Sequence, residues 1–103
     1  MTSTTEYEIS AATLQIAAAQ PSGIASFHRL RAEIPNYVTL RASDLAPSTT
    51  RNGEPMWHQL VRNIKSHYET EGNYIAEGWL EHIPRVGYRI TAAGRKRLAD
   101  GNG

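Results

Sequence analysis

The chain has 103 residues, enough for one modest core and too few for two domains. A hydrophobic fraction of 40% and a charged fraction of 20% are ordinary for a globular protein and exclude disorder as the default for the whole chain. Lys and Arg number 11 against 10 Asp and Glu, for a net charge of +1, and the absence of cysteine excludes disulfides and thiolate metal sites.

No apolar run approaches the roughly 20 residues that span a bilayer. Met1 to Thr5 is polar and lacks the basic and apolar regions of a secretory signal, so a cytoplasmic protein with no membrane partner is expected. Residues 1–5 and 100–103 read as frayed tails on a single domain over 1–103.

The first helix is predicted from about Glu8 to Ala19. Ile9, Ala12, Ile16 and Ala19 share one face, alanine favours the helix, and Pro21 stops it. A second, short helix runs from Phe27 to Ile34, capped by Ser26, with Phe27, Leu30 and Ile34 on its apolar side and Arg29 and Arg31 pointing elsewhere. Tyr37 to Leu40 favours a short strand, and a long ordered loop with turn signals at Ser43-Asp44, Pro47-Ser48 and Asn52-Gly53 follows. A third helix starts at Pro55 and reaches about His67, with Trp57, Leu60, Val61 and Ile64 as its apolar stripe. Tyr74 to Glu77 reads as one turn closed by Gly78. Trp79–Ile83 and Tyr88–Ile90 read as strands joined by the tight connection Pro84-Arg85-Val86-Gly87. Thr91 caps a last helix, Ala92 to Ala99, with Leu98 inward and Arg95, Lys96 and Arg97 outside. The order is helix, helix, helix, hairpin, helix: a mainly α protein with a small β-hairpin, laid out as a winged helix-turn-helix.

The third helix carries the functional expectation. His58, Arg62 and Lys65 recur at i, i+4, i+7, Gln59, Asn63 and Ser66 lie beside them, and no acid falls between Pro55 and Tyr68. A helix that enters the major groove needs one apolar side to hold it and another that offers donors to base edges and cations to phosphates. Double-stranded DNA is therefore the expected partner. His58, Gln59, Arg62 and Asn63 are expected to face bases, and Arg51, Lys65, Arg85 and Arg89 to face phosphates. The loop containing Thr49, Thr50 and Arg51 feeds a helix N-terminus, where it either holds a phosphate or simply makes turn and cap contacts. Trp57 and Trp79 are read as core.

Enzymatic chemistry finds no support. The histidines His28, His58, His67 and His82 form no i, i+4 pair, His58 and His67 with Glu69 or Glu71 make a poor metal set, and no phosphate loop or nucleophile motif occurs. No cofactor is expected. The rival reading is a winged helix whose third helix docks a protein partner or a second copy of the chain, without DNA.

The stretches GEPMWHQLVRNIKSH and GNYIAEGWLEHIPRVGYRITAAGRKRL resemble the winged-helix modules found with bacterial modification-dependent restriction endonucleases, which accompany Mrr-type or HNH-type nuclease domains. The resemblance covers the second half of the chain well and the first half loosely. The GYRITAAGRKRL pattern is shared by many winged helices and specifies fold more than function. The resemblance implies a specificity module of a restriction system, with a nuclease domain or a homodimer as partner. It also implies that a methylated adenine is read by Arg62, Asn63, His67 and their neighbours. Cleavage is not carried over, because no nuclease domain is seen in this sequence.

Overall fold

The first helix begins earlier than its apolar spacing predicts. In a computed structural model, which describes residues 4–101, α1 spans Glu6–Ala18. The Thr5 hydroxyl accepts from the Glu8 N–H (3.1 Å), and the Glu8 carboxylate accepts from the Thr5 N–H (3.1 Å), a reciprocal cap. Thr4 donates its N–H to the buried Asp44 carboxylate at 3.1 and 3.2 Å. Thr4 and Thr5 are thus tied down and not frayed. So are Asp100 and Gly101, whose N–H groups donate to Lys96 and Leu98 carbonyls. The remaining tail residues, 1–3 and 102–103, lie outside the described residues. Helix α1 buries Ile9, Leu14, Ile16 and Ala17 completely and is covered on more than one side.

Strand β1 (Ile24–Ser26) is absent from the sequence reading. It pairs antiparallel with β3 (Gly87–Ile90), which also pairs antiparallel with β2 (Leu80–Ile83), giving the order β1-β3-β2. The small hairpin is therefore corrected to a three-stranded sheet, and the chain to a small α+β fold. Ser26 faces Gly87, and a Cβ on Gly87 would lie 1.9 Å from the Ala25 carbonyl oxygen, so only glycine admits β1 at this distance. Ser26 then caps α2 (Phe27–Glu33) by accepting from the Arg29 N–H at 3.0 Å, as its position predicts.

Tyr37 to Leu40 is not a strand. A 3-10 turn covers Ile34–Asn36, and the chain proceeds to a short helix, α3 (Ala42–Leu45), around Asp44. Strand composition becomes a strand only against a partner, and this segment pairs with none of the three strands. The loop from Ala46 to Met56 is closed on itself by a bridge between Pro47 and Pro55 and by the Ser48 N–H donating to the Glu54 carbonyl (2.7 Å). Pro55 belongs to that closure, so α4 begins at Trp57 and runs to Ser66. Trp57, Val61 and Ile64 are buried, as their stripe predicts.

Tyr88 joins the sheet to α4. Its hydroxyl donates to the Val61 carbonyl (2.6 Å) and accepts from the Lys65 N–H (3.1 Å), bridging the two groups that an α-helix pairs at i and i−4. Burial pushes its phenol pKa far up, with the Lys65 amide opposing. Helix α5 (Ala92–Ala99) is capped by Thr91 as expected. Arg97 does not point outward. It lies over the half-buried Trp79 ring at 3.7 Å and reaches toward Tyr74. No helix among the described residues is long and apolar enough to cross a membrane.

Candidate functional site

Helices α2 and α4 and the loop between them enclose a groove of about 460 Å³. Phe27 and Val61 are its apolar lining. Arg31, Arg51, Arg62 and Lys65 bring four cations to it, with His58 beside them. Of the expected site residues, Arg51, His58, Arg62 and Lys65 thus converge. Arg31, expected to point elsewhere, joins them. Its signal was available, since it follows Phe27 by four residues and shares that side of α2. Arg29 pairs with Glu33 along the same helix.

One carboxylate lies in this groove. Arg62 Nη1 donates to Glu54 Oε1 at 2.9 Å. The expectation of a face free of carboxylates is therefore corrected: Glu54 precedes the acid-free window by one position, and the closed loop folds it back. Burial works to raise the Glu54 pKa, but the hydrogen bond and charge of Arg62, helped by His58 and Arg51, prevail and hold it below 4.5. His58 is held below 6.5, first by burial and then by Arg31 and Arg62, against the pull of Glu54. Its Nδ1 is buried with no hydrogen-bond partner, and its ring stands edge-on to Trp57.

The polar side chains on the outer side of α4 are linked in series. Arg62 Nη2 donates to Gln59 Oε1 (3.1 Å), and Gln59 Nε2 donates to Asn63 Oδ1 (2.8 Å). Gln59 is exposed and Asn63 half-buried. The Ser66 hydroxyl donates to the Arg62 carbonyl at 3.2 Å, an ordinary helix back-bond.

Of the other expected residues, His67, Thr49, Thr50, Arg85 and Arg89 do not line the groove. His67 caps the far end of α4 and meets Glu6 at 2.8 Å, away from the groove. Thr49 and Thr50 sit exposed in the closed loop, and the amides of Thr50 and Arg51 are spent on the Ser48 hydroxyl (3.1 Å each). The loop is thus a serine-stabilised turn. On the hairpin, Arg85 is exposed and held at φ 67° after Pro84, with the Val86 N–H donating to the Ile83 carbonyl across the turn (3.0 Å). Arg89 is exposed on β3 and pairs with Glu81 directly across on β2.

Among the described residues, Arg31, Arg51, Lys65 and Arg85 form no ion pair. No group of three or more His, Asp or Glu able to hold a metal is present among them. Compared with known proteins, the chain matches no family model, no curated protein and no solved structure.

Proposed function

We propose that the chain is a winged helix-turn-helix that binds double-stranded DNA, with α2 and α4 as the helix pair and the β2–β3 hairpin as the wing. One observation carries this reading: Arg31, Arg51 and Lys65 stand unpaired around a groove whose neighbouring helix surface is a connected row of side-chain donors and acceptors. Cations serve phosphates, and Arg, Gln and Asn serve base edges. On this reading α4 enters the major groove, Gln59, Arg62 and Asn63 meet bases, and Arg31, Arg51, Lys65 and Arg85 meet the backbone. Arg85 at the hairpin tip suits a narrow minor groove.

The restriction-system role suggested by the resemblance, with a methylated base as target and a nuclease domain or second copy as partner, belongs to this proposal, as does a cytoplasmic setting. The test is binding of labelled random-sequence duplexes, with and without methylated adenine, at two salt concentrations. Affinity that falls steeply with salt supports duplex binding, and a preference for methylated duplex supports the modification-reading role. Absent or salt-independent binding overturns the proposal. The rival reading, a protein-docking module, draws on Tyr37 and Leu45, which are 45% and 56% exposed and line one concavity. Sedimentation showing a salt-insensitive dimer without DNA would favour it.

A further inference from the structure

We propose that Glu54 and Arg62 together read a single G·C base pair, with Glu54 the residue that determines specificity; the inference rests on the duplex-binding reading above.

A carboxylate in a groove lined by Arg31, Arg51, Arg62 and Lys65 opposes phosphate binding. When a duplex approaches, it can only gain from a base donor. The donors on the major-groove edge are the amino groups of cytosine and adenine. The neighbour of Glu54 decides between them. Arg62 Nη1 touches Glu54 Oε1 at 2.9 Å and Nη2 touches Gln59 Oε1 at 3.1 Å, so each terminal nitrogen keeps a second N–H. The pair therefore presents, in order, donor, donor, acceptor. A G·C pair presents acceptor N7, acceptor O6 and donor N4, the complement of that order. An A·T pair places the adenine amino donor between two acceptors, which sets one N–H of Arg62 against a donor.

The arrangement is held before any duplex arrives. Glu54 is fixed through both main-chain groups, its carbonyl by the Ser48 N–H (2.7 Å) and its N–H by the Arg51 carbonyl (3.3 Å). Arg62 is held at both forks, and Gln59 is held in turn by Asn63 (2.8 Å). Both side chains of the pair remain partly accessible, 18% for Arg62 and 27% for Glu54. Less side-chain freedom is then lost on contact.

The test uses the full chain and a pool of duplexes with a randomised centre, from which bound molecules are recovered and sequenced. Wild type is expected to fix one position as G·C, by about tenfold or more over A·T. Glu54→Gln is expected to lose most of that preference while its affinity for random duplex at low salt rises. Arg62→Lys, which keeps the charge and loses the fork, is expected to lose the preference at the same position. Circular dichroism checks that both variants are folded. A Glu54→Gln protein that keeps the wild-type preference overturns the inference and leaves duplex binding standing, as does a wild type that binds duplex without selecting G·C. A wild type with no salt-dependent binding overturns both.

Discussion

If the chain binds duplex DNA as proposed, removing single cations from the groove gives the sharpest test of which charges meet phosphates. Each phosphate neutralised contributes about 0.9 to the slope of log affinity against log salt. Among the described residues, Arg31, Arg51, Lys65 and Arg85 are the cations on the proposed face that form no ion pair. If all four meet phosphates, the slope lies between about −3 and −4, and raising salt from about 50 to about 200 mM weakens binding by about 100-fold. Replacing any one of them with Ala should divide that ratio by about three to four. Arg29 lies on the same helix as Arg31 but is paired with Glu33, so Arg29→Ala should leave the ratio nearly unchanged. Fluorescence anisotropy on one random-sequence duplex at five salt concentrations measures all of this. The reasoning fails if Arg31→Ala and Arg51→Ala keep the wild-type slope, or if Arg29→Ala flattens it as much as they do.

Other outcomes follow from the scaffold. Tyr88→Phe removes the hydroxyl that bonds both the Val61 carbonyl and the Lys65 N–H, so urea unfolding should show a loss of about 1 kcal/mol; an unchanged midpoint would mean the bridge contributes nothing net. Arg85→Gly should relieve the left-handed backbone at the hairpin tip and raise stability by up to about 1 kcal/mol while weakening duplex binding, and a destabilised variant would contradict the turn geometry. His58 and His82 are both held below 6.5, chiefly by burial, so the unfolded chain binds more protons than the folded one as pH falls through that value. Stability present at neutral pH should therefore decline on acidification toward pH 5, and the double variant with Gln at both positions should melt with less pH dependence.

Much of this was legible in the sequence because local signals agreed with burial. Ser26 and Thr91 announced their caps, and Trp57, Val61 and Ile64 announced the inner side of α4. What escaped was nonlocal. Strand β1 is three residues long, too short to show an alternation, and exists because β3 offers an edge to it. Tyr37 to Leu40 has strand composition but pairs with none of the three strands. At the site, helical spacing correctly grouped His58, Arg62 and Lys65. It said nothing of Glu54, because Glu54 lies before α4 and the Pro47–Pro55 bridge is what returns the carboxylate to Arg62. His67 failed as a groove residue for a similar reason: its nearest charge, Glu6, comes from the start of α1.

A net charge of +1 says little about such a surface, because the charges are sorted in space. Glu6 and Glu71 line a separate concavity with Tyr7 and Tyr74, while the α2–α4 groove holds one carboxylate among four cations. Sorting helps only if the elements that carry the cations stay in register, and Tyr88 is what holds them. Its hydroxyl grips α4 at Val61 and Lys65. Its ring meets the Phe27 edge of α2 at 5.4 Å, and the Phe27 N–H donates to Val86 in the hairpin at 2.8 Å. One core tyrosine therefore fixes the spacing of α2, α4 and the hairpin. A surface fixed by its own core loses little freedom on contact, so on the proposed duplex-binding reading counterion release should reach the affinity almost undiminished. The strongest effects on binding should accordingly come from the unpaired cations around the groove, and the weakest from Thr49 and Thr50, which carry no charge and do not line it.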